Sequence, residues 1–63
     1  MIDVETIYNI LKQLEAVGQN KISLSDLAAY THVQYNLLKQ QLQVLDKYFN
    51  ISRSGRAIYI SLK

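Results

Sequence analysis

Residues 22–45 read ISLSDLAAYTHVQYNLLKQQLQVL and carry the strongest local structural signals in the chain. Ser23 stands where a helix N-cap is expected, and Asp26 follows at the third helical position, the place of the acid in a capping box. Apolar residues recur at helical spacing through residues 24–30. The sequence therefore predicts a helix that ends near residue 30, with Ile22 just before it as a single residue of extended strand.

A brief break at residues 31–33 separates this helix from a third one, predicted over about residues 34–48. We expect His32 to form the turn, because histidine tolerates the left-handed backbone conformation better than a branched residue does. The apolar side of the third helix consists of Leu37, Leu38, Leu42, Val44 and Leu45. Its opposite face is polar and bears one charge: Gln34, Tyr35, Asn36, Lys39, Gln40 and Gln43.

A first helix is predicted upstream, with Asp3 as its N-cap and Gly18 as its C-terminal stop. The residues at spacings of three and four that form its core-facing stripe are Ile7, Ile10, Leu11, Leu14 and Val17. Residues 19–21 then make a polar connection to the strand.

The C-terminal segment changes its period, since apolar and polar residues tend to alternate along residues 49–53 and 56–62. Alternation of this kind predicts two strands, and Ser54-Gly55 between them fits a two-residue hairpin loop in which glycine takes a positive φ. That loop would set three cross-strand pairs on one face: Arg53 with Arg56, Ile51 with Ile58, and Phe49 with Ile60. Two like charges opposed across a hairpin are unfavourable, which indicates an anionic partner at the tip.

This order of elements resembles the winged helix-turn-helix family. The resemblance rests on the run 22–28, the turn ending in Val33, the leucine repeat at 38, 42 and 45, and the hairpin tip at 53–56, and it spans nearly the whole chain. It implies an α+β fold of three helices, a short strand and a C-terminal β-hairpin wing, in a single domain over residues 1–63.

In function, the resemblance implies a sequence-specific double-stranded DNA-binding protein, such as a small transcriptional regulator. The third helix would enter the major groove, and the wing at 50–62 would touch the backbone or the minor groove. The residues implied as DNA contacts are Gln34, Tyr35, Asn36, Lys39, Gln40, Gln43, Arg53, Ser54 and Arg56.

The chemistry of these residues suits that role. Asparagine and glutamine amides can bond adenine N6 and N7 together, whereas Lys39 and Tyr35 could hold phosphates, which set the register without reading sequence. Arg53 and Arg56 would release counterions from the backbone. Leu37 stands where the family often has a small hydroxyl residue, so it either packs or touches a thymine methyl group.

The formal net charge is only +2, but it is unevenly distributed. Residues 1–26 hold four carboxylates against two lysines, whereas residues 47–63 hold four basic residues and no acid. The chain has no cysteine, and its single histidine and scattered carboxylates form no recognisable catalytic or metal-binding arrangement. We expect no enzymatic activity, metal, cofactor or small-molecule ligand. With no signal peptide and no apolar run long enough to span a membrane, we expect a cytoplasmic, nucleoid-associated protein.

Two other functions stay open on the sequence alone. One is a protein-interaction module that kept the scaffold without DNA binding, because the third helix is poor in arginine and lysine. The other is a replication or recombination accessory that uses the same DNA contacts. We also expect a homodimer, because so small a core is marginal alone. Its interface would lie on the first helix, including Val4 and Tyr8, or at Tyr59 of the last strand.

Overall fold

Four helices and a three-stranded antiparallel sheet are present in the computed structural model, which describes residues 3–63. The elements are α1 (Val4–Ala16), β1 (Ile22–Ser23), α2 (Leu24–Thr31), α3 (Tyr35–Gln40), α4 (Leu42–Tyr48), β2 (Phe49–Ser54) and β3 (Ala57–Leu62). The fold is thus a small α+β arrangement. Within residues 3–63, even the longest helix, the 13-residue α1, falls short of what a bilayer crossing demands.

Both ends of α1 are capped as the sequence predicts. Asp3 Oδ1 accepts a hydrogen bond from the backbone N–H of Glu5 at 3.0 Å. The amides of Gly18 and Gln19 donate back to carbonyls of the last turn at 3.0 and 2.9 Å, with φ of +87° at Gly18. These two bonds form a Schellman motif, which explains the glycine. Val17 lies beyond the helix and is 78% exposed, so its expected place on the core-facing stripe is wrong.

The signals around α2 are confirmed as well. Ser23 Oγ accepts from the backbone N–H of Asp26 at 3.2 Å, which makes Ser23 the N-cap. At the other end His32 adopts the left-handed conformation, with φ of 57°, and the amide of Val33 donates to the carbonyl of Ala28 at 3.2 Å. This bond ends α2 and holds the chain in a tight turn that leads into α3.

The sequence predicts one continuous third helix. The structure instead divides it at Gln41 into α3 and α4. The amide of Gln41 donates to the carbonyl of Leu38 at 3.0 Å, three residues back, and its ψ is 8°. A bond to the third rather than the fourth preceding residue tightens the turn and interrupts the α-helical ladder. The expected helix over 34–48 is therefore two short helices in succession.

The hairpin forms, but its register differs from the expected one. The loop is Gly55-Arg56, with φ of +59° at Gly55. Glycine first in a two-residue loop is the pattern of a type II′ turn, whereas the expected Ser54-Gly55 loop puts it second. The observed pairs include Ser54–Ala57, Arg53–Ile58, Ile51–Ile60 and Phe49–Leu62. Arg53 and Arg56 are consequently not opposed, and the like-charge argument for an anionic partner at the tip is wrong.

The sheet order is β1-β3-β2, so the last strand is the central one. β3 pairs with β1 through Ile60 and Tyr59, and with β2 along its whole length. The core between this sheet and the helices consists of Ile7, Leu11, Ile22, Leu24, Leu27, Leu38, Leu45, Phe49, Ile58 and Ile60. Because α4 leads directly into β2, the helices that follow the tight turn and the hairpin are held next to each other.

Candidate nucleic-acid interface

The polar residues predicted on the third helix are exposed, with one exception. Gln34 lies at the N-cap of α3, and its side chain makes no capping hydrogen bond. The other exposed members are Asn36, Lys39 and Gln40 on α3 and Gln43 on α4. The four amide side chains and the lysine are therefore accessible to a ligand.

Tyr35 is the exception, because it is half-buried and packs against the core. It precedes the fully buried Leu38 by three residues, and residues at that spacing share a helix face. Tyr35 is thus a less accessible DNA contact than the family resemblance implies. Tyr8, Tyr30 and Tyr48 are more open, at 46%, 59% and 55% exposed.

Lys47 belongs to the same surface, although the family resemblance did not point to it. Lys47 is exposed and follows Gln43 by four residues on α4, a spacing that places two side chains on the same face of a helix. Lys63 Nζ donates to the backbone carbonyl of Lys47 at 3.4 Å, so two cations lie at the end of α4. The excess of basic residues after position 46 is the signal that could have identified Lys47. We call the exposed side chains of α3 and α4 the helical surface.

A groove of about 300 Å³ separates α4 from β2. It is lined by Leu42, Gln43, Asp46, Ile51 and Arg53. Gln43 of the helical surface and Arg53 of the hairpin thus share one concavity. Asp46 is the one carboxylate in this lining, and the sequence pattern gave no reason to place it there.

No protein-family model, curated protein or solved structure matches this chain.

The hairpin tip supplies the remaining predicted contacts. Arg53 and Ser54 at the end of β2 and Arg56 in the loop are all exposed. The chain has no carboxylate at residues 27–45 or 47–63, so Asp46 is the only one from α2's second half through β3. The helical surface and the hairpin together make a face with amide and cationic groups and a single acid.

A second concavity, of about 230 Å³, lies between α1 and the end of the chain. Its lining residues are Tyr8, Lys12, Glu15, Tyr48, Leu62 and Lys63, and we call it the tyrosine pocket. Lys12 Nζ lies 6.0 Å from the centroid of the Tyr8 ring. This pocket combines exposed aromatic surface with charges of both signs.

The other two residues expected at a dimer interface are less accessible. Val4 is half-buried and packs against the core. Tyr59 is half-buried as well, and Lys21 Nζ covers its ring at 4.5 Å from the centroid. Of the three, Tyr8 offers the most open surface.

Proposed function

We propose that the chain is a winged helix-turn-helix protein that binds double-stranded DNA sequence-specifically, as a small transcriptional regulator does. The helical surface enters the major groove, and the hairpin lies on the backbone or in the minor groove. The observation that carries the proposal is the groove shared by Gln43 and Arg53. It makes one continuous face from residues that read bases and residues that bind phosphate.

The chemistry of this face supports the assignment. A major groove about 12 Å wide admits an α-helix, and glutamine and asparagine amides can pair with an adenine edge. Lys39, Lys47 and Arg53 are exposed around these amides. Such cations fix the register on the duplex by contacting phosphates, while the amides read the bases.

Asp46 opposes this function, and the effect of removing its charge tests the proposal. The protein should bind duplex DNA at low salt, and Asp46→Asn should tighten binding about two- to fivefold by removing a repulsion of ~0.5–1 kcal/mol. Fluorescence anisotropy of a labelled random-sequence duplex over a salt series measures both effects.

Glu5→Gln is the matched control, because it makes the same charge change on α1, outside the groove. It should change the affinity less than Asp46→Asn does. Failure to bind duplex DNA of any sequence at low salt would contradict the proposed function. A role in replication or recombination would use the same contacts, and selection of bound sequences from random duplexes would separate it from a regulator of defined sites.

The tyrosine pocket favours a protein partner in addition to DNA, and we propose that the partner is a second copy of the chain. A two-fold interface places the same patch on both subunits, so the patch must complement itself. The pocket meets this requirement, because Glu15 of one copy can pair with Lys12 or Lys63 of the other around the rings of Tyr8 and Tyr48. Two copies would also double the few DNA contacts of one.

Sedimentation velocity at low micromolar concentration tests the dimer. The unaltered protein should sediment as a dimer, and the double substitution Tyr8→Ser and Tyr48→Ser should shift it to monomer, because the interface loses its aromatic area. Tyr30→Ser is the matched control, since Tyr30 is similarly exposed but lies outside the pocket. An unaltered protein that sediments only as monomer would refute this interface.

A further inference from the structure

Two apolar side chains stand out among the amides of the helical surface. Leu37 is 38% exposed and Val44 is 44% exposed, although both were expected on the apolar side of the third helix. Leu37 lies on α3 and Val44 lies on α4, seven residues further along the chain. Gln40 and Gln43 lie between them in the sequence and are exposed. Apolar and amide groups therefore occur together on the exposed surface of these two helices.

This combination of apolar and amide groups suits the major-groove edge of an A·T pair. Thymine is the base that presents a methyl group there, and its partner adenine presents N6 and N7, which a glutamine or asparagine amide bonds in a bidentate way. A G·C pair offers the groove no methyl group and is read best by arginine or lysine. Among the exposed residues from 36 to 44, Asn36, Gln40 and Gln43 are amides, Leu37 and Val44 are apolar, and Lys39 is the one cation.

We propose that the helical surface reads A·T pairs, with Leu37 and Val44 against thymine methyl groups and the Gln40 amide on adenine. This inference rests on the proposed DNA binding and names the bases it selects. It also accounts for the exposed leucine and valine, which water would otherwise solvate unfavourably.

A protein partner fits these side chains less well. Leucine and valine are under-represented among the residues that dominate protein–protein binding, where tryptophan, tyrosine and arginine prevail. Lys39 and Lys47 also lie exposed on these two helices, which carry a single carboxylate, Asp46. That charge complements a phosphate backbone, so the surface suits a duplex.

Uracil substitution isolates the methyl group, because it removes that group and leaves base pairing and phosphates in place. The probes are a duplex composed only of A·T pairs, its twin with uracil for thymine, and a G·C duplex of the same length. The protein should bind the uracil twin about three- to fourfold more weakly for each thymine methyl group that it touches in the parent duplex. The dependence on salt should be the same for both, since the phosphate contacts are shared.

The double substitution Leu37→Ala and Val44→Ala should abolish the difference between thymine and uracil while binding to the uracil twin persists. Val17→Ala is the matched control, because Val17 is 78% exposed and lies just beyond α1, away from α3 and α4 in the sequence. It should keep the full difference. Circular dichroism checks that each variant keeps its fold.

The outcomes separate the two proposals. Binding that ignores the methyl group, or that favours the G·C duplex, overturns the reading of A·T pairs while DNA binding stands. Absence of binding to all three duplexes overturns the proposed function and this inference with it.

Discussion

Removing both hairpin arginines, with Arg53→Ala and Arg56→Ala, should weaken duplex binding about 10- to 100-fold at low salt. Both side chains are exposed. Arg53 lines the groove between α4 and β2, and Arg56 lies in the hairpin loop. Each would contribute a charge-assisted contact to a phosphate, and each phosphate contact releases a counterion. The loss should be nearly uniform across sequences, because phosphate contacts carry no base information.

The salt series makes this prediction quantitative. The slope of log affinity against log salt should become shallower by about 1.8, which corresponds to two phosphate contacts. Arg53→Lys with Arg56→Lys is the matched control, since it keeps both charges and should keep the slope. An unchanged slope in the double alanine variant would show that the hairpin does not touch the backbone.

Phe49→Ala should lower the free energy of unfolding by about 3–5 kcal/mol. Phe49 is 1% exposed and is the largest fully buried side chain of residues 3–63. It also stands at the junction where α4 ends and β2 begins, so its removal leaves a cavity between the helices and the hairpin. A chain this small has little stability in reserve, so the variant should unfold at a much lower urea concentration.

Urea denaturation followed by far-ultraviolet circular dichroism measures the effect. Phe49→Leu should cost ~1.5 kcal/mol or less, because it keeps most of the volume. Tyr30→Ala deletes an aromatic ring that is 59% exposed, and should change stability far less than Phe49→Ala does. Equal shifts of the urea midpoint in Phe49→Ala and Tyr30→Ala would show that the packing around Phe49 does not hold the helices against the hairpin.

The helix ends could be predicted because capping depends on near neighbours in the sequence. Asp3, Ser23, Gly18 and His32 each perform the expected role, and each cap is closed by bonds to residues no more than five positions away. The break at Gln41 is an exception. Gln41 gives no local signal such as glycine or proline, so the sequence does not predict the interruption.

The hairpin register could not be read from alternation alone. Moving the pairing from Ile51–Ile58 to Ile51–Ile60 keeps the same residues on the same face, because the side-chain period is two. Gly55 at the first loop position and the pairing of β3 with β1 favour the observed register of the hairpin. The strand content was thus predictable from the sequence, and the partner of each residue was not.

The candidate site could be predicted only in part from the sequence. The exposed amides follow from helical periodicity, since a polar arc opposite a leucine stripe faces outward. Leu37 and Val44 were misplaced because the apolar arc is wider than the stripe that the core covers, of which Leu38 and Leu45 are the buried members. The place of Asp46 in the lining of the groove with Arg53 depends on tertiary packing, so local sequence patterns do not predict it.

The position of β3 at the centre of the sheet has a kinetic consequence. Ile60 pairs with Ile22 on one side and Ile51 on the other, so one strand closes both a long loop and a short one. Long-range closure is slow because its entropic cost precedes its contacts. We expect α1 and α2 to gain their full tertiary support only when β3 docks, so these two helices and the hairpin form in one cooperative step.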